Sequence, residues 1–227
     1  MENYLKPCQY SIRLLEKLNS LDLKNDLDFK LVDRAIYWAK KYHNGQFRKS
    51  GEPFYSHPLE VAYMISDHLL HTNTIVASIL HDIVEDTEVT TGMILDEFGW
   101  RIAEIVDRLT RDRPDGTKLS VDEVMKNIYL HKDKETLLVK LIDRLHNVQT
   151  IEHMSKKKQL LTSKKTLQRF LIAAYELEMP DIAHLIYNMC FQLNIKLGLI
   201  NKSPTYNDNL FIQKSILPDL IFQNDLH

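Results

Sequence analysis

The sequence predicts an all-α protein. Glycine and proline, the residues that interrupt helices most strongly, number only six and seven among 227 residues. Apolar residues recur at three- and four-residue spacing, as in Phe29, Val32, Ile36 and Ala39, which is typical of one buried helix face. The alternation expected of half-buried strands is not found in the sequence. With 44% hydrophobic residues, the chain can bury a core between such helices.

Capping residues, glycines and prolines set the predicted helix limits. A helical lead-in covers 1–25, and a polar loop at 111–119 precedes the capping box of Ser120 and Glu123. The lysine-rich stretch 155–165, which begins another helix, is interpreted as a solvated connector. The remaining helices are predicted at 29–43, 58–70, from Thr72 or Asn73 to about 87, from Thr90 to before Gly99, at 100–110, from 121, at 134–153, at 164–178 and at 181–197.

Composition excludes several classes of protein. The formal charge of -2 gives no reason to expect binding to nucleic acid or to an anionic membrane. No run is long enough to cross a bilayer, and the N-terminal residues lack the apolar stretch of a signal peptide. Cys8 and Cys190 form neither a disulfide framework nor a thiolate metal set. These features predict a cytoplasmic protein, with no indication of its oligomeric state.

The stretch 79–87, ILHDIVEDT, carries the first sign of chemistry. If it is helical, Glu85 follows His81 by one turn and Asp86 follows Asp82 by one turn. One imidazole and three carboxylates would then share one helix edge, where the carboxylates repel one another and resist ionisation. Because a bound cation relieves that repulsion, the stretch predicts a metal site.

Two further segments contain polar residues that need an explanation. The helix predicted at 134–153 carries Asp143, His146, Asn147 and Thr150 as one polar stripe, made of weak helix formers rather than the Lys and Glu of an ordinary exposed face. The loop 44–53 contains the basic pair Arg48 and Lys49, which is compatible with either a solvated loop or phosphate binding. His43, just before this loop, is interpreted as a hydrogen-bonded core residue.

Two histidines and two aspartates from separate helices complete the pattern. His57 directly precedes Pro58 at a predicted helix start, His81 and Asp82 are adjacent, and Asp143 belongs to the later polar stripe. This mixed nitrogen and oxygen set suits Mn, Fe or Zn better than Mg or Ca. Spaced as H…HD…D in an all-helical chain, the set resembles the HD superfamily of metal-dependent phosphohydrolases.

Longer motifs narrow the resemblance. The segments HNGQFRKSGEP at 43–53, His57-Pro58, LHDIVEDT at 80–87, Phe98-Gly99 and KLIDRLHN at 140–147 occur in this order. Together they resemble the hydrolase domain of the RelA/SpoT family over roughly residues 30–155. The resemblance implies an HD-domain helical bundle that releases pyrophosphate from the 3′ position of guanosine tetra- or pentaphosphate, usually with Mn²⁺, with Fe²⁺ or Zn²⁺ as alternatives.

The resemblance also implies a role for each matching residue. Metal ligands are implied at His57, His81, Asp82 and Asp143. The acidic pair Glu85 and Asp86 is implied to position or deprotonate the attacking water. Contacts with the nucleotide substrate are implied at Arg48, Lys49, Ser50, Arg144, Asn147 and Thr150.

The chain departs from the family pattern at a few positions. Phe54 replaces a frequent tyrosine and loses one hydroxyl, and Thr110-Arg111 replaces Thr-Lys while keeping the charge. The expected organisation is one hydrolase domain at 1–198 and a loosely packed tail at 199–227. Because no synthetase region is matched, the chain resembles a stand-alone or truncated hydrolase.

Three other interpretations stay open at this point. An HD phosphohydrolase could act on another nucleotide, as an NADPH phosphatase does. A non-catalytic sensor of the same guanosine phosphates (bacterial starvation alarmones) could keep the fold. Such a sensor would need neither the complete ligand set nor Glu85 and Asp86. The lysine-rich segment could also form a helical interaction module.

Overall fold

The computed structural model describes residues 4, 6–113 and 115–199. Its described part is all-α, as predicted, and contains no strand, only isolated β-bridges between Phe47 and Pro53 and between Asp112 and Lys118. The α-helices are α1 (Gln9–Leu21), α2 (Phe29–Tyr42), α3 (Ser56–Ile65), α4 (Thr72–Leu80), α5 (Ile83–Asp86), α6 (Thr91–Phe98), α7 (Trp100–Leu109), α8 (Val121–Leu130), α9 (Lys134–Gln149), α10 (Lys156–Glu176) and α11 (Pro180–Lys196).

The chain divides into two compact units, Met1–His146 and Asn147–His227. In the first unit α4 packs against α2, α3 and α7. Every residue of α4 from Thr74 to Leu80 is buried, so this helix forms the centre of the unit's core. His81 and Asp82 follow directly after this buried helix, so the core fixes where the pair begins.

The second unit contains the paired helices α10 and α11. Helix α10 begins at Lys156 rather than at the predicted residue 164, so the lysine-rich stretch is its first turns and not a connector. Its early lysines are exposed, while Gln159, Ser163 and Thr166 face inward. Pro180 occupies the first turn of α11, where a missing backbone N–H costs nothing. The predicted limits 1–198 for a single domain stay a prediction, and the predicted tail lies outside the described residues from 200 onward.

The prediction of one continuous helix through the HD stretch was wrong. Helix α4 ends at Leu80, and α5 starts only at Ile83. Asp82 between them has φ −99° and ψ −6°, away from regular helical values. The His81 ring also bonds the Ser78 carbonyl, at 2.7 Å, and so occupies an acceptor at the end of α4. Because His81 and Asp82 lie outside both helices, His81 and Glu85 do not belong to one continuous helix.

Two other helices end earlier than predicted. Helix α3 ends at Ile65 because the Ser66 hydroxyl bonds the Tyr63 carbonyl and the His68 amide makes a tighter bond to the Ile65 carbonyl. Helix α9 ends at Gln149, and a 3₁₀ turn at Ile151–His153 covers the rest of the predicted span.

Cys8 and Cys190 are not joined by a disulfide, as expected from their number and separation. A search of the described helices finds none that combines the length and apolar character required to cross a bilayer.

Candidate metal centre

Four side chains that the sequence singled out meet in the first unit. His57 lies in the first turn of α3, His81 and Asp82 form the turn between α4 and α5, and Asp143 lies on α9. His57 Nε2 is 3.2 Å from Asp143 Oδ1 and 3.4 Å from Asp82 Oδ2. His81 Nε2 is 3.2 Å from Asp82 Oδ2 and 3.7 Å from Asp143 Oδ1. The nearest ligand atoms of His57, His81 and Asp143 all lie within 4.8 Å of one another.

The His81 ring is oriented by the backbone. Its Nδ1 lies 2.7 Å from the Ser78 carbonyl oxygen, and because a carbonyl only accepts, Nδ1 carries the proton. Nε2 therefore directs its free position at Asp82 and Asp143. It is buried, and although Asp82 Oδ2 lies 3.2 Å away, no contact among the described residues has the geometry of a hydrogen bond. A backbone bond that fixes one ring nitrogen and leaves the other for an ion is typical of metal-ligating histidine.

The cluster attracts positive charge. Burial opposes a charge on His81, but Asp82 and Asp143 outweigh it and raise the pKa of His81 well above its usual value. Burial likewise opposes ionisation of Asp82 and Asp143, yet their histidine neighbours hold the pKa of each carboxyl well below its usual range. Two carboxylates packed against imidazole nitrogens require a proton or a cation between them. The donor set therefore fits a divalent transition metal.

Sequence reasoning missed a partner of His57. His146 Nδ1 lies 2.7 Å from His57 Nδ1, and the two rings are tilted by 36° with centroids 4.8 Å apart. Burial, followed by the electrostatic effects of His57 and Arg48, lowers the pKa of His146 to about 3. The signal in the sequence was its position three residues after Asp143, which places both side chains on one helix face.

Glu85 and Asp86 differ in their surroundings. Glu85 Oε1 accepts a hydrogen bond of 2.7 Å from the Arg111 backbone N–H, and Oε2 lies 3.6 Å from Lys118 Nζ. Asp86 keeps an exposed edge, but partial burial of its carboxyl group, then the charges of Asp82 and Glu85, raise its pKa to about 6. The mutual repulsion expected among these carboxylates thus appears at Asp86.

The loop predicted to carry substrate contacts is a closed hairpin. The Arg48 N–H bonds the Glu52 carbonyl at 2.9 Å, the Gly51 N–H bonds the Arg48 carbonyl at 3.0 Å, and Gly51 has φ +99°, which favours glycine. Lys49 and Ser50 are exposed at its tip, whereas the Arg48 side chain is only 12% exposed. The effect of Arg48 on the pKa of His146 indicates that its guanidinium lies near the cluster.

The remaining predicted substrate contacts lie on or after α9. Arg144 directly follows Asp143 in the first unit, and its side chain is half-buried. Asn147 and Thr150 belong to the second unit. Their roles in binding stay predictions.

His43 is buried, as its interpretation as a core residue requires. Its Nδ1 lies 2.9 Å from Gln46 Oε1, and Gln46 Nε2 donates to the Asp86 carbonyl at 2.7 Å. Phe54, the residue that replaces the family's frequent tyrosine, stacks on His43 at a centroid distance of 4.8 Å. Gln46 thereby connects His43 to the backbone of Asp86.

Comparison with known proteins places this geometry in context. A model of the HD domain matches residues 35–174. A relative from Myxococcus xanthus named GTP pyrophosphokinase is 34% identical over 175 residues, which cover 74% of this chain and 23% of the relative. A relative from Mycoplasma pneumoniae named "Probable guanosine-3′,5′-bis(diphosphate) 3′-pyrophosphohydrolase" is 30% identical over 215 residues, which cover 86% of this chain and 29% of the relative.

The chain thus spans less than a third of the length of these curated relatives. A solved structure described by the words "a metazoan ortholog of SpoT hydrolyzes ppGpp and plays a role in starvation responses" has a TM-score of 0.48 and 18% identity, covering 86% of this chain and 99% of that one. The HD-domain model extends over more than half of the sequence and includes all four clustered side chains. The chain belongs to the HD-domain family.

Proposed function

We propose that the protein is a divalent-metal-dependent hydrolase that releases pyrophosphate from the 3′ position of guanosine 3′,5′-bis(diphosphate) and its pentaphosphate analogue. The substrate class comes from the M. pneumoniae relative and from a Mycoplasma genitalium relative of the same name that is 29% identical over 238 residues. Both are much longer than this chain, so their printed activity supports the proposal without deciding it. The geometry that supports it is a His–His–Asp–Asp cluster beside an acidic pair, in which His57, His81 and Asp143 are buried and Asp82 is partly exposed.

The proposed metal ligands are His57 Nε2, His81 Nε2 and the carboxylates of Asp82 and Asp143. The orientation of His81 and the short distances among the four groups support this assignment. Two nitrogen and two oxygen donors suit Mn²⁺, with Fe²⁺ and Zn²⁺ as alternatives. When bound, the cation neutralises phosphoryl charge and makes water more acidic.

Asp86 is the proposed general base. A raised pKa brings a carboxylate closer to the basicity that proton abstraction from water requires. Glu85 is instead held by the Arg111 N–H and by Lys118. Its proposed task is to position the segment around Asp86 and to add negative charge beside it. The pair therefore divides into a positioned carboxylate and a proton acceptor.

Arg48 is the proposed main contact with the nucleotide, with Lys49 and Ser50 from the same loop. A planar guanidinium can stack on a base or bond two phosphate oxygens, while lysine acts as a point charge. The substantial burial of the Arg48 side chain and its electrostatic effect on His146 support a place beside the cluster. Arg144, Asn147 and Thr150 are proposed as further contacts. The substrate pool is proposed to be cytoplasmic, and nucleic acid is not a proposed partner.

The observation that carries the proposal is the convergence of His57, His81, Asp82 and Asp143 with their imidazole nitrogens directed at carboxylates. To test it, the metal-loaded protein is incubated with 3′-pyrophosphorylated guanosine, GTP and NADPH, and the products are identified. We expect guanosine 5′-diphosphate or triphosphate plus pyrophosphate from the first substrate only. Phosphate release from NADPH alone would show that the protein is a hydrolase with a different substrate from the one proposed. Tight nucleotide binding without products, with Mn²⁺, Fe²⁺ and Zn²⁺ alike, would contradict the proposal that the protein is an enzyme.

A further inference from the structure

We infer that His146 is a positioning residue of the metal centre, which fixes the tautomer and the direction of His57 by accepting its Nδ1 proton. This inference rests on the metal site of the proposed function and extends it to a residue outside the proposed ligand set. The direct observation is the 2.7 Å contact between the Nδ1 atoms of His57 and His146, which are 89 residues apart in sequence.

The tautomers follow from the chemistry of the pair. His57 Nε2 faces Asp82 and Asp143, so as a ligand it must present a lone pair there. A neutral imidazole with a lone pair at Nε2 carries its proton at Nδ1. That proton points at His146 Nδ1, which must therefore accept it. His146 then carries its own proton at Nε2.

Because both rings are buried, loss of the hydrogen bond between His57 and His146 would leave a donor without a partner. His57 is 2% and His146 is 8% exposed, so water cannot readily replace a missing acceptor. Without the acceptor, the His57 N–H would be buried and unsatisfied, and the ring could reverse its tautomer and present a proton instead of a lone pair to the ion. In His81 the Ser78 carbonyl performs the equivalent task. The two histidine ligands are thus oriented by different means, a backbone carbonyl for one and an imidazole for the other.

Helix α9 connects this task to a second ligand. Asp143 and His146 are three residues apart on α9 and therefore lie on one face. The same helix turn supplies one ligand and orients another that belongs to α3. A small rotation of α9 would displace both Asp143 and His146, so this helix sets the position of one ligand and the orientation of the His57 ring.

The test compares variants that remove or keep the acceptor. In His146→Asn the amide oxygen stands near the position of Nδ1 and can still accept, whereas His146→Leu fills the space without an acceptor. Leu141→Ala is the matched control, because Leu141 is buried on α9 about 200° around the helix from Asp143. Mn²⁺ dissociation constants are measured on the metal-free proteins, after circular dichroism has confirmed that each is folded.

We expect His146→Leu to weaken Mn²⁺ binding by about 10- to 100-fold, the usual effect of losing an outer partner of a ligand. His146→Asn should stay within a few-fold of wild type, and so should Leu141→Ala. Unchanged affinity in His146→Leu would overturn the inference. Equal losses in the leucine and asparagine variants, or an equal loss in Leu141→Ala, would also overturn it, because packing rather than the acceptor would then be responsible.

The readout separates this inference from the proposed function. Metal affinity is measured without substrate, so it does not depend on which nucleotide the protein hydrolyses. If wild type binds Mn²⁺ but releases no pyrophosphate, the proposed function fails and the role of His146 is still decided by the three variants. If wild type binds no divalent ion, both fail together.

Discussion

At the scale of single residues, the two adjacent carboxylates of the acidic pair have different surroundings. Glu85 accepts a backbone hydrogen bond and faces a lysine, while Asp86 feels the charges of Asp82 and Glu85. Two adjacent carboxyl groups therefore have different surroundings, and the pKa of Asp86 is raised to about 6. The chemistry proposed for Asp86 depends on that difference.

Replacing Asp86 by asparagine tests its proposed role. Asn keeps the size of the side chain but cannot take a proton, so turnover should fall by roughly a hundredfold or more. Metal content should stay at the wild-type level. Pyrophosphate release and metal content are measured together, with Glu88→Gln as an exposed acidic control two residues away. Wild-type turnover in Asp86→Asn would rule out proton abstraction by this carboxylate.

Glu85→Gln should have a smaller effect on turnover than Asp86→Asn. The amide oxygen can still accept from the Arg111 N–H, so the positioned geometry is kept while the negative charge is lost. Steady-state rates of both variants under the same conditions give the comparison. A larger loss of turnover in Glu85→Gln would indicate that Glu85, and not Asp86, is the general base.

Arg48→Ala should weaken substrate binding without changing metal content. The guanidinium is proposed to contact the nucleotide and is no ligand, so the Michaelis constant should rise more than turnover falls. Lys49→Ala, at the exposed neighbouring position, should have a smaller effect. An effect of Arg48→Ala on turnover alone would remove this residue from the binding role.

At the scale of elements, a charged network at the start of α9 positions the helix that carries Asp143. Asp133 precedes the helix and accepts a hydrogen bond of 3.1 Å from the Thr136 N–H. Arg101 of α7 donates to both Asp133 oxygens, at 2.8 and 3.0 Å. Arg108 also contacts Asp133. Because the Asp133 side chain is only 3% exposed, the network fixes the start of α9 to α7.

Asp133→Asn should destabilise the protein by about 1.5–3 kcal/mol at neutral pH, the usual range for hydrogen bonds to charged groups. Burial opposes ionisation of Asp133, but Arg101 and Thr136 outweigh it and hold its pKa well below the usual value. A lowered pKa stabilises the folded state above the unfolded pKa of about 3.9. That contribution is lost as the pH falls through and below this value.

Urea unfolding at pH 7 and at pH 3 checks this prediction. The difference between wild type and Asp133→Asn should be large at pH 7 and smaller at pH 3. Asp96→Asn, an exposed change on α6, should alter neither value appreciably. A difference that is the same at both pH values would show that the charge of Asp133 is not what stabilises α9.

At the scale of the whole molecule, metal binding should stabilise the fold, because the buried acidic cluster exists only when the protein is folded. A ligand present at a hundred times its dissociation constant adds about 2.7 kcal/mol. Mn²⁺ should therefore raise the unfolding temperature of wild type, and EDTA should lower it again. In Asp82→Ala the temperature should not respond to Mn²⁺. An equal response in that variant would place the stabilising ion elsewhere.

Much of this organisation could be predicted from the sequence. The all-α fold follows from helical periodicity and few breakers, and the side chains of the H…HD…D pattern indeed meet, at His57, His81, Asp82 and Asp143. Periodicity could not show the break after Leu80, because the apolar pattern of Ile79, Leu80, Ile83 and Val84 continues across it.

The unpredicted features depend on contacts between distant positions. His57 and His146 meet across 89 residues, and Glu85 meets the Arg111 backbone across 26. No local pattern encodes such pairs. The polar stripe on α9 marked His146 as unusual, but only the fold supplies its partner.

The central claim is that the four converging side chains bind one divalent ion. Anomalous diffraction from crystals grown with Mn²⁺, recorded on both sides of the manganese absorption edge, tests it most directly. We expect one strong peak at about 2.0–2.3 Å from the Nε2 atoms of His57 and His81 and from oxygens of Asp82 and Asp143, the distance range of nitrogen and oxygen ligands to comparable metals. A peak elsewhere, or direct hydrogen bonds between these imidazoles and carboxylates at saturating Mn²⁺, would contradict it.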